Sequence, residues 1–316
     1  MTTAQPALFI LLLLSAPAWA QDDIETGSLQ TLGGAGAAHA HDNGALSVNP
    51  AAIGLSRRYA MSAVGGFWDG RDWRAGLTAV DSLTTEGVAL GVGYQHFVTQ
   101  RALDVDELPG WTTDADNQST TRIFEHVILG VAVPVLDQRL SFGISGSLHL
   151  VGHPILGRGT SGDVEAGIAA RPTKKWSLGV AARNILPKFF VTDESIGLVA
   201  GTRYAWNPRS SVAVDVDVPL VGETDGLPLS IGGGAEWGDD ARQLGVGYRY
   251  DGPLAEHWAS VGGAIWNDTA PDTDGGNMAG LHYNLRVPLH KLKDQTNRFY
   301  ALEHTVTVTI MPKTRQ

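Results

Sequence analysis

The chain contains no cysteine. A disulfide framework, a thiolate metal site, a cysteine nucleophile and a lipid anchor on an N-terminal cysteine are therefore excluded. The absence is compatible with an oxidising compartment outside the cytoplasm. Long apolar runs are also missing after residue 20, where nothing approaches the ~20 residues that a membrane-spanning helix needs. Positive charge is scarce: 23 Lys and Arg against 33 Asp and Glu leave a formal net charge of −10. Nucleic acid is excluded as a partner on that ground, because phosphate binding needs a basic face. The acidity itself reads as solvated loops.

The one apolar run opens the chain. Residues 7–14 read ALFILLLL, and Ala18-Trp19-Ala20 follows. A core too short to span a bilayer, followed by an A-x-A site, predicts a signal peptide over 1–20, cleaved before Gln21. No Lys or Arg precedes the core, so only the terminal amine supplies the usual positive charge. With no later helix to span a membrane, the mature chain is expected either free outside the cytoplasm or as a β-barrel.

What is abundant is glycine, 39 in 316 residues, against an average usage of about 7%. Many glycines fall inside strand-like segments and on one face, which suits a curved wall that admits a close neighbour. The alternation is explicit. In 139–150, Leu140, Phe142, Ile144, Leu148 and Leu150 share one face, and Arg139, Ser141, Gly143, Ser145, Ser147 and His149 share the other. Residues 211–218, 243–250, 281–287 and 305–310 repeat the pattern. Two chemically distinct faces are the mark of a strand between two environments. Fourteen such segments are expected: 59–67, 73–80, 86–98, 122–134, 139–151, 161–171, 174–184, 196–206, 209–219, 228–237, 242–250, 257–266, 278–288 and 302–311. An even number suits a bacterial single-chain barrel. The fold class is therefore all-β: a transmembrane antiparallel β-barrel of about 14 strands with a short N-terminal plug. Its domains are the signal 1–20, a plug over 21–58 and a barrel over 59–316.

The alternative is a soluble sandwich. It is disfavoured because Arg, Asp and His stand opposite a continuous apolar face in so many strands. Tyr59, Trp68, Trp73, Trp176, Tyr204, Trp206, Trp237, Tyr248, Tyr250, Trp258 and Trp266 lie at strand ends, as interfacial girdles require. The tight links at 207–208 and 238–241 are expected at the periplasmic end. The stretches 99–121, 185–195, 220–227 and 267–277 are expected outside, while the strand count sends 289–301 to the periplasmic side. Five residues follow the last apolar one, Met311, so the terminal aromatic of many barrels is displaced or lost.

Residues 21–58 differ from the rest. They carry Gly33, Gly34, Ala35, Gly36 and Ala38, then Asp42, Ala45, Leu46, Asn49, Pro50, Ala51 and Leu55. This "GGAG-A-A…D-x-x-A-L-x-x-NPA-x-L" opening resembles the N-termini of the FadL/TodX outer-membrane transport proteins and their PorV-like relatives. The segment 178–185, LGVAARNI, resembles a middle strand of that group. Gly233 to Trp237 with Leu244 to Tyr248 resembles its late hairpin. The resemblance implies a fourteen-stranded barrel with a hatch inside it, held by the Asn49-Pro50-Ala51 turn. It implies either passage of hydrophobic small molecules or, for the PorV branch, docking of exported proteins or a secretion machine. Both functions stay open at this point. The partners expected are the lipid bilayer of the outer membrane and one of those two.

Catalytic and cofactor chemistry is not indicated. The run 33–36 lacks the Gly-Lys-Ser/Thr end of a phosphate loop. His39, His41 and Asp42 lack further spaced ligands for a metal. Asp114, Asp116 and Asn117, and Asn267, Asp268, Asp272, Asp274 and Gly275, form oxygen-rich loops without EF-hand spacing. No cofactor, metal or catalytic residue is expected. The lumen is expected to carry Arg183, Arg203, Asp215, Asp217, Glu236, Arg249, His282 and Arg286, paired with one another rather than lining an open pore.

Overall fold

The computed structural model describes residues 26–39, 43–68, 72–84, 87–101, 120–153, 157–186, 196–207, 210–220, 229–239, 241–252, 256–268, 277–289 and 302–312. The expected signal peptide over 1–20, His41, Asp42 and most of the oxygen-rich loops lie outside these residues.

Fourteen strands follow one another: β1 (Tyr59–Trp68), β2 (Asp72–Asp81), β3 (Ala89–Arg101), β4 (Thr120–Val135), β5 (Leu140–His153), β6 (Gly157–Ala170), β7 (Trp176–Arg183), β8 (Gly197–Asn207), β9 (Ser210–Pro219), β10 (Ser230–Gly238), β11 (Arg242–Asp251), β12 (Glu256–Asp268), β13 (Asn277–Pro288) and β14 (Glu303–Pro312). Each pairs antiparallel with its chain neighbours, and β1 closes on β14 through Met61↔Ile310 to Trp68↔Glu303. Closure removes every sheet edge.

The two faces are inverted relative to a soluble protein. On β5, Ser141 and Ser145 are buried while Phe142 and Ile144 stand exposed. Leu77 and Leu129 are 61% exposed on neighbouring parts of the wall. An apolar band of this extent around a closed sheet is the surface that hydrocarbon covers. The sandwich alternative fails because these side chains face outward.

Two ends are distinguishable. Connections after β2, β4, β6, β8, β10 and β12 share the end where β1 starts and β14 stops; the tight links 136–139, 208–209 and 239–241 are there. The other end holds 102–119, 184–196, 220–229 and 289–302. The sequence expectation is corrected: 267–277 joins β12 to β13 at the tight-turn end, and 289–301 belongs with the long connections. The expectation misnumbered these connections: 267–277 follows the twelfth strand and 289–301 the thirteenth.

A second correction concerns the girdle. Trp73, Trp176, Trp206, Trp237 and Tyr248 do face outward, each more than 40% exposed. Trp258 is 6% exposed and points into the lumen beside buried Ser260 on the same face. Trp266, further along that face as alternation dictates, lines the lumen also. The Trp68 side chain lies outside the described residues.

Before β1 the described residues fold inside the barrel. Thr26 caps helix α1 (Gly27–Thr31), its hydroxyl accepting from the Leu29 amide. Gly33 and Gly34 end that helix at φ +66° and +81°, values that favour glycine. Helix α2 (Ala45–Val48) follows, then a 3₁₀ turn over Pro50–Leu55. Asn49 is extended (φ −152°, ψ 98°), as a residue before proline should be. The core of the molecule is the seam between this plug and the wall: Leu29, Leu32, Leu46, Ile53 and Leu55 are all at most 1% exposed. Burying each such side chain contributes roughly 1.5–3 kcal/mol.

Candidate functional site

The wall is shaped to receive the plug. Lumen-facing glycines form an almost continuous belt, in register across strand pairs: Gly91↔Gly130, Gly143↔Gly167, Gly179↔Gly201, Gly234↔Gly247 and Gly245↔Gly262. A Cβ at Gly143 would overlap the Ala51 amide, at Gly179 the Ala37 carbonyl, and at Gly247 the Thr31 carbonyl. At Gly91 it would stand 2.7 Å from a Leu46 methyl. These glycines therefore serve a close approach of two backbones.

Polar contacts fix the plug's rotation. The Gly36 and Ala37 amides donate to one Asp215 carboxylate oxygen at 2.8 and 2.6 Å. The glycine-rich turn is thus an anion-binding nest, and the anion is a wall carboxylate. Asn49 is fully buried and joins three segments. Its side-chain amide donates to the carbonyls of Ala37 (2.8 Å) and Ile168 (3.3 Å), and its oxygen accepts from the Ala51 amide at 3.1 Å. Thr31 is a third node. Its hydroxyl meets His282 Nε2 at 3.0 Å, accepts from Asn284 Nδ2 at 2.9 Å and donates to the Gly27 carbonyl at 2.8 Å. Ser82 ties off the plug's exit, accepting the Arg58 amide at 2.8 Å and donating to the Ser56 carbonyl at 2.6 Å.

The charged residues read from the sequence all stand on the lumen side. Arg203 lies 3.3 Å from Glu236, which also accepts from Ser211 at 2.8 Å. Arg183 reaches Asp217 at 3.3 Å and Glu165 at 3.7 Å. Arg286 reaches Glu303 at 3.5 Å and lies 4.4 Å over the Trp258 ring. Arg249 borders the same recess as Asp215 and Asp217. Asp215 is hydrogen-bonded by plug amides, with the Arg249 side chain bordering the same recess.

Sequence reasoning missed Thr31, Glu165, Glu303, Asn284 and the wall glycines' partner. Glu165 was legible, since it sits on the polar face of a two-faced strand. Nothing local distinguishes Thr31. Of the plug motif, Gly33, Gly34, Gly36, Asn49, Pro50 and Ala51 converge on the seam, and Asp42 lies outside the described residues.

The plug divides the lumen. Towards the tight-turn end lies a cavity of about 430 Å³ bordered by His39, Ser62, Arg203, Trp266 and Thr309. Towards the long-connection end the wall carries Phe97 beside Phe124 at 5.5 Å, the stacked His126–His149 pair at 4.3 Å, and Trp258. Aromatic faces and paired charges therefore share this vestibule.

A closed antiparallel barrel of fourteen strands, stoppered by its own N-terminal segment, is a defined class of protein. Solved structures with a similar fold include toluene transporters and a monoaromatic hydrocarbon channel. The chain superposes on the Pseudomonas putida toluene transporter TodX with a TM-score of 0.60 at 12% identity, over 91% of this chain and 96% of that one. The Ralstonia pickettii toluene transporter TbuX gives 0.59 at 12%, over 93% and 98%. A Pseudomonas aeruginosa FadL homologue gives 0.50 at 13%, over 89% and 95%. No protein-family model matches the chain, and no curated protein matches it in sequence. At these identities the likeness is one of fold.

Proposed function

We propose that this chain is an outer-membrane channel of the FadL/TodX type, exported by a signal peptide cleaved after Ala20, that passes small hydrophobic molecules and has no enzymatic activity. The observation that carries the reading is the seated plug: a closed barrel whose lumen is stoppered by residues 26–58, with aromatic side chains on the long-connection side. The long connections then face outward and the tight turns face the periplasm. A hydrophobic molecule enters the vestibule and leaves once the plug rearranges or through the wall. Arg183, Arg203 and Arg286 on the lumen face each lie within 3.5 Å of a carboxylate, which mutes their charge towards an apolar solute. The test is uptake of toluene into vesicles containing the purified protein. Protein-dependent uptake, altered when residues 21–48 are deleted, is expected; uptake indifferent to the protein rejects passage.

A second reading, docking of exported proteins in the PorV manner, is favoured by one observation. The plug meets the wall backbone to backbone on several strands, which suits a permanently closed barrel. Stoichiometric recovery of one protein from solubilised membrane, together with no toluene uptake, is its expected signature.

A further inference from the structure

The cavity of about 430 Å³ on the tight-turn side of the plug is unequal in charge. Among the described residues, Arg57, Arg58 and Arg203 border it against one carboxylate, Glu236. That carboxylate is already engaged: it accepts from Ser211 at 2.8 Å and from Arg203 Nη2 at 3.3 Å. Arginine keeps its charge at any physiological pH. A surplus of fixed positive charge in a recess walled by protein attracts an anion.

Three side chains have the capacity to hold one. His39 is 4% exposed, and neither ring nitrogen has a hydrogen-bond partner among the described residues. Its Nε2 stands 3.9 Å from Glu236, beyond hydrogen-bonding reach. A buried imidazole left this way is costly, and an incoming acceptor offsets the cost. Arg203, equally buried, uses Nε on Ser211 and Nη2 on Glu236. Other N–H donors of its guanidinium are left for a ligand. Arg57 is exposed and borders the same cavity, so a further cation stands at its open side.

One part of the lining is apolar. Trp266, Met278 and Met311 border the cavity from the adjoining strands β12, β13 and β14. The volume lies in the range that takes a small organic molecule, well beyond what a simple ion fills. A flat ring suits the indole and the two thioethers, and a carboxylate suits the imidazole and the arginines.

We propose that this cavity binds a small aromatic carboxylate, its anionic group held by His39, Arg57 and Arg203 and its ring packed against Trp266 and Met278. His39 belongs to the plug, and Arg203 and Trp266 belong to the wall, so one ligand touches both. A ligand that binds only the seated arrangement stabilises it; occupancy of this site therefore holds the plug closed. The proposal rests on the seated plug and not on what the barrel passes.

The test is calorimetric titration of the detergent-purified protein with sodium benzoate at neutral pH. Saturable binding of one benzoate per barrel is expected. Benzamide, of the same shape without the charge, and acetate, charged without the ring, should each bind roughly tenfold more weakly. His39→Phe keeps a ring, removes both nitrogens and should weaken benzoate roughly tenfold; Arg57→Gln should weaken it severalfold. Arg139→Gln, in the link between β4 and β5 at the same end but outside the cavity, leaves it unchanged. Benzoate should also slow solute leak through reconstituted barrels, but not through His39→Phe. Should His39→Phe fail to fold by heat-modifiable migration, Arg57→Gln decides, because that side chain is exposed. Absence of saturable benzoate binding overturns the site, as it must if the chain's own Asp42 or acidic stretch 22–25 neutralises these cations. Benzamide binding as tightly as benzoate, or benzoate binding that neither variant weakens, overturns it too. Toluene uptake without benzoate binding removes this site alone and leaves the channel reading standing.

Discussion

The two sides of the plug are held by different physics. Against β2–β4 the seam is dry: Leu46 and Ile53 pack with Val80, Ala89, Ile128 and Ala132, and Leu46 reaches over Gly91 and Gly130. Against β9–β14 it is polar, through Asp215, His282, Asn284 and Thr307, the last accepting the Gly27 amide at 2.8 Å. Apolar burial has no substitute in water, whereas each hydrogen bond on the other side can be exchanged for one to water or to a solute. The contrast identifies the side that can yield. On the channel reading, the α2 and 3₁₀ half is expected to anchor the plug and the α1 half with its glycine turn to be the part that moves.

Three substitutions break or sharpen this contrast. The largest loss is expected at Leu46→Ala, which empties a fully buried site on the anchored side. Stability in detergent, followed by denaturant unfolding, should fall by about 2–5 kcal/mol, with the closed barrel's permeability little changed below the transition. Asp215→Ala comes next, leaving the Gly36 and Ala37 amides buried without an acceptor, at about 1–3 kcal/mol. Its distinguishing effect is on passage: solute leak through reconstituted barrels should rise, because the glycine turn loses its latch. If Leu46→Ala leaks more than Asp215→Ala, the assignment of anchor and mobile half is reversed. The smallest change is Thr31→Val, which removes one hydroxyl from the His282–Asn284 node at similar volume. It should cost about 1 kcal/mol and raise leak only slightly. Faster hydrogen exchange confined to 27–37 would sharpen the contrast further.

The wall was legible because lipid outside and a polar interior write a period of two into every strand, as Val212, Val214 and Val216 show against Ser211, Ala213 and Asp215. Boundaries slipped where glycine intervened. The expectation of a strand from residue 86 fails because Gly87 turns at φ +85°. Gly157-Arg158-Gly159 reads as loop yet extends β6 by pairing with β5. The girdle was overextended to Trp258 and Trp266 because a tryptophan near a strand end has no label for inside or outside until register is known. The plug was legible only as a motif. Its glycines announce a tight turn, but that the turn grips Asp215, 178 residues away from Ala37 along the chain, follows from closure of the barrel alone.

The absence of cysteine opens a direct experiment on the plug itself. Leu46→Cys and Gly91→Cys together place two thiols across the seam, where a Leu46 methyl lies 2.7 Å from the position of a Gly91 Cβ. Oxidation of the membrane-inserted protein, followed by a denaturing gel, should show a closed internal loop that reductant reopens, with neither single variant shifting. A protein that is folded by heat-modifiable migration yet never forms this crosslink would place residues 26–58 outside the lumen and contradict a seated plug.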